Sequence, residues 1–536
     1  MSEEGIGSEV EFGMLHGAPQ AWRWEMRGRW RMSLVLLFAI PFLVPLLEAQ
    51  EIHDHGVPEK LGKVSFPVSC VPAVQEQFNR GVALLHSFAY APADEAFHHV
   101  AEMDPKCAMA YWGMAMTHFH QLWEPPLAPA MVATGQKEIE RAQEIGAGTE
   151  RERRFIHALA LIYLDAATVP YRTRALNYER AMGDLARENR KDVEAQVFYA
   201  LALLANASPS DKTHARQKQA DAVLEPLDRA YPEHPGIPHY LIHADDNAEL
   251  APKGLSAARA YSGIAPSAPH ALHMPSHIFT RLGLWDDSIA SNIAARDAAA
   301  KQGDTGEELH AMDYLVYAYL QSGRDGEAAE VIEQVKSMSK PGVSKLNSGE
   351  FKIGYAATVM PIRYAVERGK WADAAAIVVP EGAAPQVVAI AVWARGLGLA
   401  RSVNAAETGQ EVARLRQIEE QLRAAGNEYW ATQAGILKRE VMAWSAQANG
   451  KADEAVALMR AAADEEDAVE KLPVTPGPIV PAREQLGSLL LEQNHPAAAL
   501  KEFQVALVNA PGRRGAMQGE ARAAELSEKK PISGRA

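Results

Sequence analysis

From about Pro72 to Leu526 the chain repeats one pattern: alanine-rich segments with apolar residues three and four apart, punctuated by Gly, Asn and Pro. At 3.6 residues per turn, that spacing puts the apolar positions on one helical face. No stretch sustains the alternation with β-branched residues that a strand needs. The pattern predicts helix after helix joined by short connections. One segment differs. Arg23, Arg27, Arg29 and Arg31 precede an uncharged, mostly apolar run from Ser33 to Leu47, and Leu47-Glu48-Ala49 offers a cleavage site before Gln50. Fifteen residues interrupted by Pro41 and Pro45 fall short of the ~20 that span a bilayer. Basic flank, short apolar core and a small residue at the end form the secretory-signal pattern, with translation starting at Met1, Met26 or Met32. The expectation is an exported protein, periplasmic or secreted, without stable membrane insertion after signal cleavage. An uncleaved, membrane-anchoring segment is the alternative.

The clearest helical unit is residues 480–513. With Val480 as position 1, Leu486 is position 7, Gly487 is 8, Leu490 is 11, Ala499 is 20, Phe503 is 24, Ala506 is 27 and Pro511 is 32. This unit resembles the tetratricopeptide repeat, a 34-residue helix–turn–helix with small residues at 8, 20 and 27 and proline at 32. Small residues let the two helices approach, and proline ends the second. Counting from Val74, Gly81 is again 8, Phe97 is 24 and Pro105 is 32. Further units begin at Ala108, Pro235 and Pro269, and the segment Asp104–Gly113 resembles exported bacterial repeat proteins, which implies no activity. The resemblance covers most of residues 72–515. It implies an all-α fold, an α-solenoid of tetratricopeptide-like repeats forming a right-handed superhelix. The expected organisation is an N-terminal extension with signal peptide over 1–49 and an arm over 50–71. An irregular repeat array over 72–470 follows, then a linker with the consensus-like repeat over 471–515 and a polar tail over 516–536.

In the tetratricopeptide family, positions 2, 5, 9 and 12 of the first helix, with 13 beside them, line a concave groove. Their 3-4-3 spacing puts them on one face. His239 and His243 are positions 5 and 9 of the unit from Pro235, and His273 and His277 are 5 and 9 of the unit from Pro269. His270 takes position 2 beside them, His310 takes position 2 of a unit from Leu309, and His86 and His120 fall at 13. Whatever the register, a His-x3-His pair recurs after 34 residues. Histidines at i and i+4 face the same way about 6 Å apart, near enough to share a metal as in the helical His-Glu-x-x-His zinc motif. His239, His243, His273, His277 and His270 are therefore the expected ligands, with Asp246 at position 12 as a carboxylate. Imidazole suits transition metals such as zinc, copper or iron rather than calcium or magnesium. Pro275, between His273 and His277, predicts a kink that re-aims the ligands or ends a short helix. The other groove positions, His86, Trp112, His120, His310, Asp313, Tyr317 and Arg363, are expected to contact a peptide or protein segment. For the aromatics, core packing is the alternative.

Composition narrows the partners. The chain carries 54 basic and 68 acidic side chains, a formal charge of −14 with 18 histidines neutral; losing residues 1–49 removes six acids and four arginines and leaves −12. Phosphate binding needs clustered Lys and Arg, so nucleic acid is not an expected partner. Cys70 and Cys107 are too few for a four-cysteine zinc site or an iron–sulfur cluster. In an exported chain they are expected to form one disulfide, with a reactive or metal-binding thiol as the alternative. The acidic run Asp464–Asp467 is expected to face solvent. There is no Walker loop, no Gly-x-Ser-x-Gly and no His-Glu-x-x-His. Together these features predict an exported binding protein whose groove carries a histidine cluster for a transition metal, a peptide ligand or both. The alternative is a metal-dependent enzyme, hydrolase or oxidase, with an open metal site and Asp245, Asp246 or Asp313 as its acid or base.

Overall fold

The computed structural model describes residues 59–122, 127–338, 351–402 and 405–528. The expected signal peptide lies outside these residues. Helix follows helix from Gln75–His86 to Arg514–Glu528, with no strand among the described residues, and each helix packs on its neighbours in sequence. The fold is an all-α solenoid of tetratricopeptide-like hairpins. Buried apolar residues form three successive clusters, reaching from Leu61 to Phe279, Ile289 to Met360 and Tyr355 to Ala523. That is the core of a stack in which each unit is stabilised by its neighbours. No described helix is long and apolar enough to cross a membrane.

The unit that comes closest to consensus shows why the pattern folds this way. Helices Ala482–Glu492 and Pro496–Asn509 are joined by a turn in which Asn494 adopts φ 61°, a left-handed conformation that Asn tolerates. Phe503 is 1% exposed, and a Cβ placed on Gly487 would stand 2.8 Å from its ring. Gly81 meets Phe97 in the same way, at 2.7 Å. Position 8 is small because position 24 is a ring.

Three expected segments differ from their sequence reading. The part of the arm from Glu59 onward is tied to the core. Lys63 N donates to Glu233 O, and the buried Phe66 joins Phe78, Trp112 and Phe155 with ring centroids 4.9–5.4 Å from its own. Cys70 and Cys107 form a disulfide that fastens this arm to the start of helix Ala108–Thr117. The polar tail is largely a helix, Arg514–Glu528, whose Ala516 and Ala523 are fully buried. Two small residues seven apart form a narrow seam, too slight to stand out as an apolar face. The acidic run is not simply solvated: Asp464 and Asp467 bind Arg483, and Glu466 accepts from the Ala482 N–H.

Gly487→Ala tests the close approach. Removing a helical glycine favours folding by ~0.5–1 kcal/mol, whereas overpacking against a buried ring costs about 1–3 kcal/mol. The expected result is a lower urea midpoint, and an unchanged or higher midpoint would contradict the packing argument.

Candidate metal centre

Six histidines converge from the helices Gly236–Asp245, Pro269–His273, Pro275–Arg281 and Thr305–Gln321. They form two sets of three. His239, His243 and His270 make the first, and His273, His277 and His310 the second; within each set the ligand nitrogens lie within 4.8 Å of one another. Each set combines a His-x3-His pair with a histidine from a following helix. Pro275 has no N–H to give, so the chain breaks at Met274, whose own N–H closes the preceding helix on His270 O. His270 and His273, one turn apart, thereby serve different sets.

The outer nitrogens decide which way each ring presents its lone pair. His239 Nδ1 lies 2.5 Å from the backbone oxygen of His86. That oxygen is one of the carbonyls a helix leaves unpaired at its C-terminus, so Nδ1–H donates and Nε2 keeps its lone pair. His273 Nδ1 lies 2.6 Å from Asn292 Oδ1, and the Asn292 amide is oriented by its Nδ2 donating to Ser288 O at 2.8 Å. His277 Nδ1 donates to Asp246 Oδ2 at 2.9 Å, and His270 Nδ1 to Glu307 Oε2 at 3.1 Å. Four rings thus point Nε2 inward. His239 and His243 bring their Nε2 atoms to 3.1 Å, and His273 and His277 theirs to 3.0 Å. Two nitrogens this far apart can both bind one ion at 2.0–2.1 Å, subtending roughly 95°.

The surroundings keep the two His-x3-His pairs neutral. Burial, reinforced by neighbouring imidazoles, pushes His239, His243 and His273 well below the ordinary histidine value. Burial also lowers His277 to about 4, although Asp246 opposes it. Burial works to raise the Asp246 carboxyl, but Lys471, Arg281 and His277 outweigh it and hold it well below the usual carboxylate range. Lys471 reaches Asp246 at 2.6 Å and Arg281 reaches it at 2.8 Å. Asp246, expected as a ligand, therefore stands behind His277 and orients it. One aromatic ring covers each set. Phe88 lies 4.4 Å from His239, 5.7 Å from His243 and 5.4 Å from His270. Tyr314 lies 4.7 Å from His273, 5.0 Å from His277 and 5.5 Å from His310. Phe88 holds its place with φ 52°, a strained conformation for a bulky residue.

Most of the residues expected to meet a groove ligand are engaged inside the protein. His86, Trp112, His310, Asp313, Tyr317 and Arg363 are all buried, and His120 stacks on Tyr90 with 4.0 Å between centroids. His310 belongs to the second three-histidine set. His86 and His234 both donate to Glu194, at 2.8 and 3.0 Å, in a buried brace behind His239. Trp112 packs in the aromatic cluster around Phe66. Arg363 Nε lies 3.5 Å from Asp313, and its guanidinium sits over Tyr317. Asp245, the remaining candidate acid or base, is pushed up to about 8 by burial beside Asp221. The physical reason is the insertion beginning at Lys471. Thr475 O accepts from Tyr314, Pro478 O from Arg363 and Ile479 O from Arg513, so the linker packs across part of the face that a regular repeat leaves open and, with Tyr317, lines the cavity that remains. Periodicity carries no signal for Phe88, Tyr314, Asn292, Glu307 or Lys471, which this packing brings to the centre.

No protein-family model matches the chain, and no curated protein matches it. Among solved structures, an IFIT1 monomeric mutant is 10% identical, spans 78% of this chain and 90% of that one, and has a TM-score of 0.36. Yeast Tom70 is 9% identical over 84% of this chain and 88% of that one, with a TM-score of 0.31. The Cut9–Hcn1 complex of APC/C is 8% identical over 84% and 90%, with a TM-score of 0.29. Nothing about the histidine cluster follows from these likenesses.

The lowered histidines predict how the metal-stripped chain responds to acid. Their folded values lie below the unfolded value of ~6.5, so below that pH the unfolded chain binds protons that the folded chain refuses. Stability is full above ~6.5 and falls as the pH drops toward 4 and below. Urea midpoints measured from pH 7.5 down to 4.5 should decline. A midpoint that stays level across that window would rule out buried neutral rings.

Proposed function

We propose that this protein binds two transition-metal ions, one in each three-histidine set, on a tetratricopeptide-like scaffold. The observation that carries this reading is the pair His273 and His277. Both Nδ1 protons are committed, to Asn292 and Asp246, yet the two Nε2 atoms face each other at 3.0 Å. Neutral rings in that arrangement oppose two lone pairs, and burial disfavours the imidazolium that would join them. A cation bound by both nitrogens resolves the conflict. Outer-side acceptors on ligating histidines are the usual means of orienting such rings, and four of the six have one. Nitrogen-only ligand sets favour zinc, copper or iron. The disulfide and the leader expected over residues 1–49 support export of the loaded protein.

Metal content is the test. Full-length protein purified without chelator and offered zinc, copper, iron and nickel separately should retain two equivalents of at least one metal. His277→Ala should lower that to about one equivalent, because only the second set loses a ligand. Wild-type protein without stoichiometric metal would sink the proposal.

A further inference from the structure

The two sets are not independent sites. His243 of the first set and His277 of the second have ring centroids 6.0 Å apart, and so do His270 and His273. Within a set the corresponding separations run from 4.2 Å, between His273 and His310, to 6.3 Å, between His277 and His310. The neighbouring rings of different sets thus stand within the range of separations found inside a set, and the six form one continuous cluster. Two ions held here would be neighbours with no side chain of another type required between them.

The donor set narrows the chemistry. Neither set includes a carboxylate oxygen. Asp246 and Glu307 occupy the outer nitrogens of His277 and His270, and Asp313 is engaged by Arg363. Metal-assisted hydrolysis needs a bound water and a nearby base, and each of these carboxylates is directed elsewhere. Electron transfer at the ions needs no such base. Neutral imidazoles stabilise copper in both of its common oxidation states, while carboxylate and water ligands suit harder ions.

Access narrows the substrate. His239, His270, His273, His277 and His310 are at most 2% exposed, and His243 alone is partly exposed. Phe88 packs against the first set and Tyr314 against the second, each meeting a histidine ring edge to face. Rings this buried exclude a peptide or sugar as ligand and leave a small molecule such as dioxygen as the class of substrate.

From these three observations we infer that the six-histidine cluster is a paired copper centre that binds and reduces dioxygen. The inference rests on the metal-binding reading above. In the step proposed, each copper(I) gives up one electron, dioxygen accepts both, and the products are two copper(II) ions with peroxide held between them. No proton is taken up, and the O–O bond order falls from two to one. Reaching two ions at once is what makes the transfer a single two-electron event.

The experiment loads the full-length, metal-stripped chain with two equivalents of copper(I) under anaerobic conditions and then admits dioxygen. One dioxygen should be consumed per two coppers. The oxidised copper should show an electron paramagnetic resonance signal well below one spin per copper, because bridged copper(II) ions couple their spins. His310→Ala, which leaves the first set whole, should hold about one copper and give one full spin for it on oxidation. Two retained coppers with no dioxygen uptake, or with a full spin on each, would overturn the inference and leave metal binding standing. Failure to retain two coppers of any kind, with two equivalents of another metal bound instead, would overturn the choice of copper. Failure to retain any metal would remove the metal reading itself. The wild-type spin count decides the question even if the variant does not fold.

Discussion

Six imidazoles can be buried side by side only if their protons are taken up from outside, and that constraint organises the middle of this molecule. A backbone carbonyl at a helix end, an asparagine amide and two carboxylates hold the Nδ1 protons of His239, His273, His277 and His270. Each acceptor must itself be held. Asn292 is turned by Ser288, and Asp246 is kept ionised in a buried setting by Arg281 and Lys471. Removing any one of them would let a ring rotate or change its protonated nitrogen, and the inward lone pair would be lost. The helical stack supplies the positions, and this outer layer supplies the chemistry.

Repetition explains why there are two sets. A unit of 34 residues that places His-x3-His on one helix places it again on the next equivalent helix, at His239/His243 and His273/His277. The third histidine comes in each case from a following helix, so a set exists only where two units adjoin. The copies are not identical. His270 and His310 stand at different distances along the chain from their pairs, and the break at Pro275 occurs in the second pair alone. The repeat therefore made the arrangement available twice, while local departures from the repeat adjusted each copy.

The same departures cover part of the face that a regular array leaves open. The stretch from Lys471 to Ile479 crosses Asp246, Tyr314, Arg363 and Arg513, and the arm around Phe66 fills the space beside Trp112. A low dielectric follows, which strengthens the Asp246 contacts and penalises any charged imidazole. The strained Phe88 and the buried Tyr314 belong to this closure, since each packs against the rings of one set.

Much of the fold was legible in the chain itself. Apolar spacing predicts helices, and the Gly487/Phe503 pairing predicts how two of them pack, because both depend on residues close in sequence. The 34-residue recurrence of His-x3-His likewise places four imidazoles on equivalent helical faces by local geometry alone. Which of them fall into one set was not legible. Grouping His270 with His239 but His273 with His310 depends on the break at Met274 and on how neighbouring helices pack. The same holds for Asp246, which sequence spacing makes a ligand and the fold turns into a support, and for the groove residues that became core. Local spacing determines which face a side chain occupies; only the packed chain determines what that face meets, since Lys471 reaches Asp246 across 225 residues and no periodic pattern extends so far.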